Sequence, residues 1–246
     1  LARKIKVIKG LTNQLEEALA GKNQDQLFHQ MELPLSEVLA EMEIIGITVD
    51  SERLEHMRVD FAKRLHDIET KIYEMAGETF NLNSPKQLGV ILFEKMGLPV
   101  IKKTKTGYST AVDVLEQLRE QAPIVDDILI YRQISKIQST YIEGLLKMIQ
   151  ADGRVHTRYV QTLTQTGRLS SVDPNLQNIP MRLEEGRRIR EAFVPKQKDW
   201  LIYASDYSQI ELRVLAHISD DEHLKQAFIE GQDIHTSTAM RVFGIE

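Results

Sequence analysis

Asp206 stands in the stretch YASDYSQIELRVLAHIS, residues 203–219, directly after the apolar run WLIYA and directly before a helical pattern. A carboxylate there invites two chemical readings. Acids at the end of a buried strand hold divalent cations, and a cation would compensate a charge that is costly to bury alone. The local alternative is a helix start. Ser208 followed three residues later by Glu211 has the spacing of a capping box, and Asp206 would favour the positive end of the helix dipole. The residues alone leave both open. Asp220, Asp221 and Glu222 lie beyond the helix and read as a solvated turn or a cap, so they are poor co-ligands.

A second group is basic and amide-rich. TQTGRLSS places Gly167 and Arg168 at a turn between polar strands, and PNLQNIP adds Asn175, Gln177 and Asn178. Arginine and amides on irregular backbone suit hydrogen bonds to phosphate, sugar or base edges. Asn and Gln also stitch turns together with their own side chains, which is the competing reading. From Asp152 to Lys198 there are nine Lys/Arg against five Asp/Glu, a local surplus of four positive charges in a chain of net charge −5. A solvated, mixed-charge surface is the plain alternative.

The elements that must position these groups fall into two kinds. The first 150 residues read as helices. LSEVLAEMEIIG puts Leu35, Val38, Leu39, Met42 and Ile45 on one face, with Gly46 as the stop. From a cap at Asp50, Leu54, Met57, Phe61, Leu65, Ile68, Ile72 and Met75 repeat at three- and four-residue steps up to Gly77, predicting a long helix packed in near coiled-coil style. Ser84 caps a shorter helix with Pro85 at its first position. KKTKTGYST (102–110) is a basic, turn-rich loop. Helices are predicted over about 111–121 and 124–150, the latter burying Ile128, Tyr131, Ile134, Ile137, Tyr141 and Leu145. After a boundary near 150, RVHTRYVQTLTQTGRLSS reads as strand and hairpin, VDPNLQNIP as irregular and WLIYA as a short buried strand. Helix returns over 208–218 and again from about Ile234.

Composition sets limits. The chain has 246 residues, 42% hydrophobic and 27% charged, enough for one large domain or two modest ones. It has no cysteine, which removes disulfides, thiolate metal sites and a cysteine nucleophile and fits a reducing cytosol. No run of about 18 apolar residues predicts a membrane span, and no apolar segment of a secretory signal follows the opening LARKIKVIKG.

TQTGRLSSVDPNLQNIP, DYSQIELRVLAHIS and DIHTSTA, in that order and spacing, strongly resemble the family A DNA polymerases of bacterial DNA polymerase I type. ELPLSEVLAEMEIIGITVD, FNLNSPKQLGVILFEKMGLP, KTKTGYST and STYIEGLL resemble stretches leading into and through that family's thumb. The resemblance implies an α+β fold, a mainly helical thumb lobe followed by the first part of an antiparallel-sheet palm. Residues 1–30 would be the tail of an exonuclease-like domain, 31–150 linker and thumb, and 151–246 the start of the palm.

The same resemblance implies a DNA-directed DNA polymerase, with primer–template DNA and deoxynucleoside triphosphates as partners, two Mg²⁺ ions as cofactors, and a role in replication and repair. Asp206 would be the catalytic ligand of both ions, with the Tyr207 carbonyl as a further metal ligand. Tyr207, Ser208, Gln209, Glu211 and His235 would border the incoming nucleotide. Among them Glu211 would reject ribonucleotides and His235 would meet the phosphates; Arg213 lies near the site. Arg168, Asn175, Gln177 and Asn178 would contact template and primer. Lys86, Lys102, Lys103, Lys105 and Lys136, with Asn81, Asn83 and Ser84, would track duplex phosphates. A monomer in the bacterial cytoplasm, at the nucleoid and off the membrane, is expected. The family continues past MRVFGIE into a fingers helix and a second, His-Asp-Glu motif. The expectation is therefore a polymerase fragment, inactive by itself. The alternatives are a non-catalytic piece that grips duplex DNA and a helical scaffold whose motifs are only caps and turns.

Overall fold

The structure is a computed structural model and describes residues 2–105, 107–181 and 183–244. Arg182, counted in the basic segment above, and the closing Ile245 and Glu246 lie outside the described residues. The chain divides into two compact units, Leu1–Trp200 and Leu201–Glu246.

In the first unit the long helix Ser51–Ala76 is the spine, 26 residues and about 39 Å at 1.5 Å per residue. It starts where the Asp50 carboxylate accepts the Arg53 N–H at 2.9 Å and stops at Gly77, whose φ of 74° is left-handed. Its predicted stripe serves two hydrophobic cores, except for Met75 at its end, which is exposed. Leu54, Met57 and Phe61 pack with Ile134, Ile137, Tyr141 and Leu145. Ile72 packs with Leu92, Leu115, Ile124 and Ile128. Leu65 and Ile68 reach both. The partner is the helical run Pro123–Lys136, Ile137–Ile142 and Glu143–Met148, lying antiparallel to the spine. Its six predicted apolar positions are all buried.

The loop expected over 102–110 is a small hairpin, Lys103–Thr104 paired with Gly107–Tyr108. Below the helices, Ile47–Val49 is the centre of a three-stranded antiparallel sheet, flanked by Arg154–Val155 and Phe193–Val194. A second hairpin pairs Arg158–Val160 with Ser170–Val172, Tyr159 opposite Ser171. All strand pairs are antiparallel and helices predominate, so the α+β class holds.

The helix predicted over about 111–121 is only Val112–Glu116, with turns after it, and two further expectations change. Helix Leu33–Ile45 forms, but of its apolar face only Leu39 is buried, while Val38, Met42 and Ile45 stay about half exposed. Among the described residues it packs against the preceding helical turn Phe28–Glu32 and one hairpin strand, and Arg154 and His156 bond to its last carbonyls. WLIYA forms no strand: residues 200–207 have no regular structure, and Leu201 is 92% exposed. The second unit holds only helices, Ile210–Ser219, Glu222–Ile229 and Ile234–Phe243. A strand needs a neighbour for its backbone donors and acceptors, and none of the described residues supplies one.

Candidate nucleic-acid interface and carboxylate site

Within the first unit, Asn83, Ser84 and Lys86 of the predicted thumb residues line one groove of about 960 Å³, whereas Asn81, Lys102, Lys103, Lys105 and Lys136 are not among its lining. Asn83, Ser84 and Lys86 form one wall; Thr104, Gly107 and Tyr108 of the small hairpin form another. The first wall is built as the sequence implies. The Ser84 hydroxyl accepts the Gln87 N–H, Pro85 holds the first helical position, and the Asn81 side-chain oxygen accepts the Asn83 N–H at 2.9 Å. Tyr108 docks the hairpin. Its ring lies 5.1 Å from that of Phe93, and Gly89 is so close that a Cβ there would come within 3.2 Å of the tyrosine. Lys103 lies over the outer face of that ring at 5.8 Å.

Lys86, Lys102, Lys103 and Lys105 are all exposed. Lys136 is exposed too, at the last position of Pro123–Lys136. No ion pair involves any of these five lysines among the described residues. Of these five only Lys86 lines the groove, and Glu94 lines it too.

Sequence reasoning missed Arg132, which lines the same groove. Its guanidinium donates to both the carbonyl and the hydroxyl of Thr110. Burial pushes its pKa down from the ordinary arginine value. The apolar stripe drew attention to its neighbour Tyr131, and no local pattern marks a partner 22 residues away.

The second hairpin carries Gly167 and Arg168 in its connecting turn; Gly167 has φ 78°, and the Arg168 carbonyl accepts the Thr164 hydroxyl at 2.6 Å. Asn175, Gln177 and Asn178 follow on exposed, irregular backbone. Part of their capacity serves the turn itself. Gln177 accepts from Ser171 N and donates to the Leu169 carbonyl, both at 3.2 Å, and the Asn175 side chain accepts Gln177 N at 2.9 Å. The Asn178 carbonyl accepts the Tyr141 hydroxyl. Underneath, Thr157 and Ser171 are buried and share a hydrogen bond of 2.6 Å. The segment is thus irregular but firmly tied.

The second unit holds the acid site. Asp206 is exposed on chain without regular structure, so the burial cost expected for it does not arise here. The capping box does not form. Helix Ile210–Ser219 begins after Gln209, whose φ of 53° is left-handed, and no side chain caps it. Glu211 sits in its first turn. Arg213 turns back to donate to the Ser208 carbonyl at 2.9 Å and covers the Phe228 ring at 4.5 Å.

Of the acids read as a turn or a cap, Asp221 caps Glu222–Ile229, accepting Leu224 N at 2.9 Å, and Asp220 pairs with Lys225. His235 is exposed at the start of Ile234–Phe243, its N–H held by Asp233 at 2.8 Å. The backbone N–H groups of His235 and then Thr236 hold the Asp233 carboxyl below its usual value. No three metal-ligating side chains cluster among the described residues. A carboxylate and the Tyr207 carbonyl suit a hard cation such as Mg²⁺ in kind, but supply only part of its oxygen shell.

The family described as DNA polymerase family A matches residues 51–246. The chain belongs to DNA polymerase family A. It is 65% identical over its whole length to DNA polymerase I of Lactococcus lactis subsp. lactis and 62% identical to that of Bacillus subtilis. It spans 28% of the length of each. Among solved structures it resembles the POL domain of Pol1 from M. smegmatis in complex with DNA primer-template and dNTP. That match has a TM-score of 0.87 and 44% identity, covering 96% of this chain and 42% of the other. Among the described residues no helix is long and apolar enough to cross a membrane.

Proposed function

We propose that this chain supplies the thumb and the first part of the palm of a DNA-directed DNA polymerase, acting as a monomer in the bacterial cytoplasm, at the nucleoid, in replication and repair. Residues 1–30 end an exonuclease-like domain, 31–150 form linker and thumb, and 151–246 open the palm. The observation that carries this reading is the whole-length likeness to DNA polymerase I, 65% in Lactococcus lactis, with DYSQIELR, TGRLSS and DIHTSTA all in place.

Lys86, Lys102, Lys103, Lys105 and Lys136 bind duplex phosphates. Such contacts give affinity without reading sequence, as an enzyme that copies any template requires. Arg168 reaches the primer end from the minor groove, and Asn175, Gln177 and Asn178 border the template–primer. Glu211 closes the space beside the sugar's 2′ carbon and so excludes ribonucleotides. Tyr207, Ser208 and Gln209 line the nucleotide site with it, and His235 donates to the triphosphate. Asp206 and the Tyr207 carbonyl would hold Mg²⁺, which when bound supplies charge neutralisation at the phosphates and acidifies the primer 3′-hydroxyl.

Primer extension tests this, with the complete polymerase that carries the segment, a primed template, the four deoxynucleoside triphosphates and Mg²⁺. Asp206→Ala lowers extension about 10³-fold or more, the size expected when several kcal/mol of charge stabilisation is lost. Because Asp206 is exposed, folding and duplex binding remain. Unimpaired extension by that variant would overturn the assignment.

A further inference from the structure

His156 lies between the strand Arg154–Val155 and the hairpin strand Arg158–Val160. Its Nδ1 is 2.7 Å from the Glu43 carbonyl oxygen, and its Nε2 is 3.0 Å from the Asp152 carboxylate. Both partners can only accept. A neutral imidazole has one N–H, so one of these contacts would set lone pair against lone pair; only the doubly protonated ring satisfies both. Space for the ring is kept by Gly46, where a Cβ would come within 2.8 Å of it. The side chain is 17% exposed.

This contact fastens two elements. Glu43, near the end of helix Leu33–Ile45, gives its carbonyl to His156, and its carboxylate accepts the Tyr159 N–H of the hairpin strand at 2.6 Å. Gln161, just past that strand, donates to the carbonyl and the carboxylate of Glu32 at 3.0 and 2.9 Å. The hairpin held in this way carries Arg168 in its turn. Two other charges face His156. Asp152 attracts it, and Arg154, which donates to the Ile45 carbonyl at 2.7 Å, opposes it.

We propose that His156 is a positioning residue whose protonated ring clasps the end of helix Leu33–Ile45 onto the Arg168 hairpin, making the hairpin's grip on primer–template DNA depend on pH. This rests on the DNA-binding reading above. The Glu43 carbonyl first, and then Asp152, raise the histidine pKa above its ordinary value against burial and Arg154. A raised value means the clasp is complete below the ordinary histidine pKa. It is lost as pH rises through His156's own value.

The test follows the His156 ring by NMR in the 246-residue chain, alongside affinity for a short primer–template duplex at fixed salt, from about pH 6 to about pH 9. The ring is expected to titrate above a free histidine. Duplex affinity is expected to fall with it, by up to about tenfold per unit of pKa elevation. His156→Gln flattens the profile. Asp152→Asn, which leaves the ring in place, moves the midpoint down, so a His156→Gln chain that failed to fold would not remove the test. A ring that titrates at or below the ordinary value overturns the proposal, as does a pH profile that neither variant changes. Duplex binding with a flat profile overturns the positioning role alone; no binding at any pH overturns the DNA-binding reading itself.

Discussion

Arg132 donates through both terminal nitrogens to Thr110, to its carbonyl and to its hydroxyl, the latter at 3.1 Å. Thr110 is only 5% exposed, so these acceptors have little access to water. The pair ties the segment after the small hairpin to the helix Pro123–Lys136. Arg132→Ala would leave both acceptors unpaired, at a cost of about 1–3 kcal/mol. Lysine keeps a charge but not the planar fork, so Arg132→Lys recovers only part of that. Urea unfolding measures the loss, and faster amide exchange at 109–111 localises it.

Gly186 lies inside the short helix Glu184–Arg190, where alanine would ordinarily gain about 1 kcal/mol in helix propensity. Here the sign reverses. A Cβ would stand 2.1 Å from the Pro180 carbonyl oxygen and 2.8 Å from its carbon, and that backbone adjoins the buried Ile179. Gly186→Ala should destabilise the first unit by about 1–3 kcal/mol or more, the range for overpacked sites. An unchanged or raised urea midpoint would show that the close approach does not constrain the fold.

Much of the scaffold was legible because its signals are local. The Leu54-to-Ile72 stripe, the Asp50 and Ser84 caps and the Gly77 stop depend on neighbours three or four residues away. WLIYA was misread because a strand depends on what lies beside it, which no apolar run specifies. The Ser208–Glu211 capping box gave way to a left-handed Gln209, a backbone choice that residue spacing does not dictate. Site residues acting over distance were invisible. Glu43 meets Tyr159 across 116 residues, and nothing near Arg132 points to Thr110. Family likeness, in contrast, was carried by long contiguous blocks that survive without any knowledge of contacts.

Lys102, Lys103 and Lys105 are exposed around the small hairpin. Replacing all three by alanine should barely change stability, apart from about 0.5–1 kcal/mol for the cation–π interaction of Lys103 with Tyr108. Duplex binding should weaken alike for every sequence. The slope of log K against log salt should fall by about 0.9 for each phosphate that is no longer neutralised, about 2.7 if every one of the three lysines binds one. Fluorescence anisotropy with a labelled duplex reads both. An unchanged slope would place the duplex elsewhere on this chain.

Tyr73 gives a pH dependence of opposite origin to that of His156. Its hydroxyl is placed 2.7 Å from both the Glu69 carboxylate and the Phe80 carbonyl. Burial first, then the bond to Glu69, push its pKa up to about 12. The neutral phenol is the form the fold keeps. Stability from this group is therefore complete below the ordinary tyrosine value near 10, and it drains away as pH rises from there to about 12. Ultraviolet titration of the chain's seven tyrosines should show Tyr73 ionising late together with Tyr131, whose pKa burial also raises, and the late amplitude should shrink by one tyrosine in Tyr73→Phe. That variant should also unfold less steeply with rising pH between those two values, since it has no phenol to ionise. If the late amplitude is undiminished in Tyr73→Phe, Tyr73 does not contribute to it and the Glu69 hydrogen bond does not hold the proton.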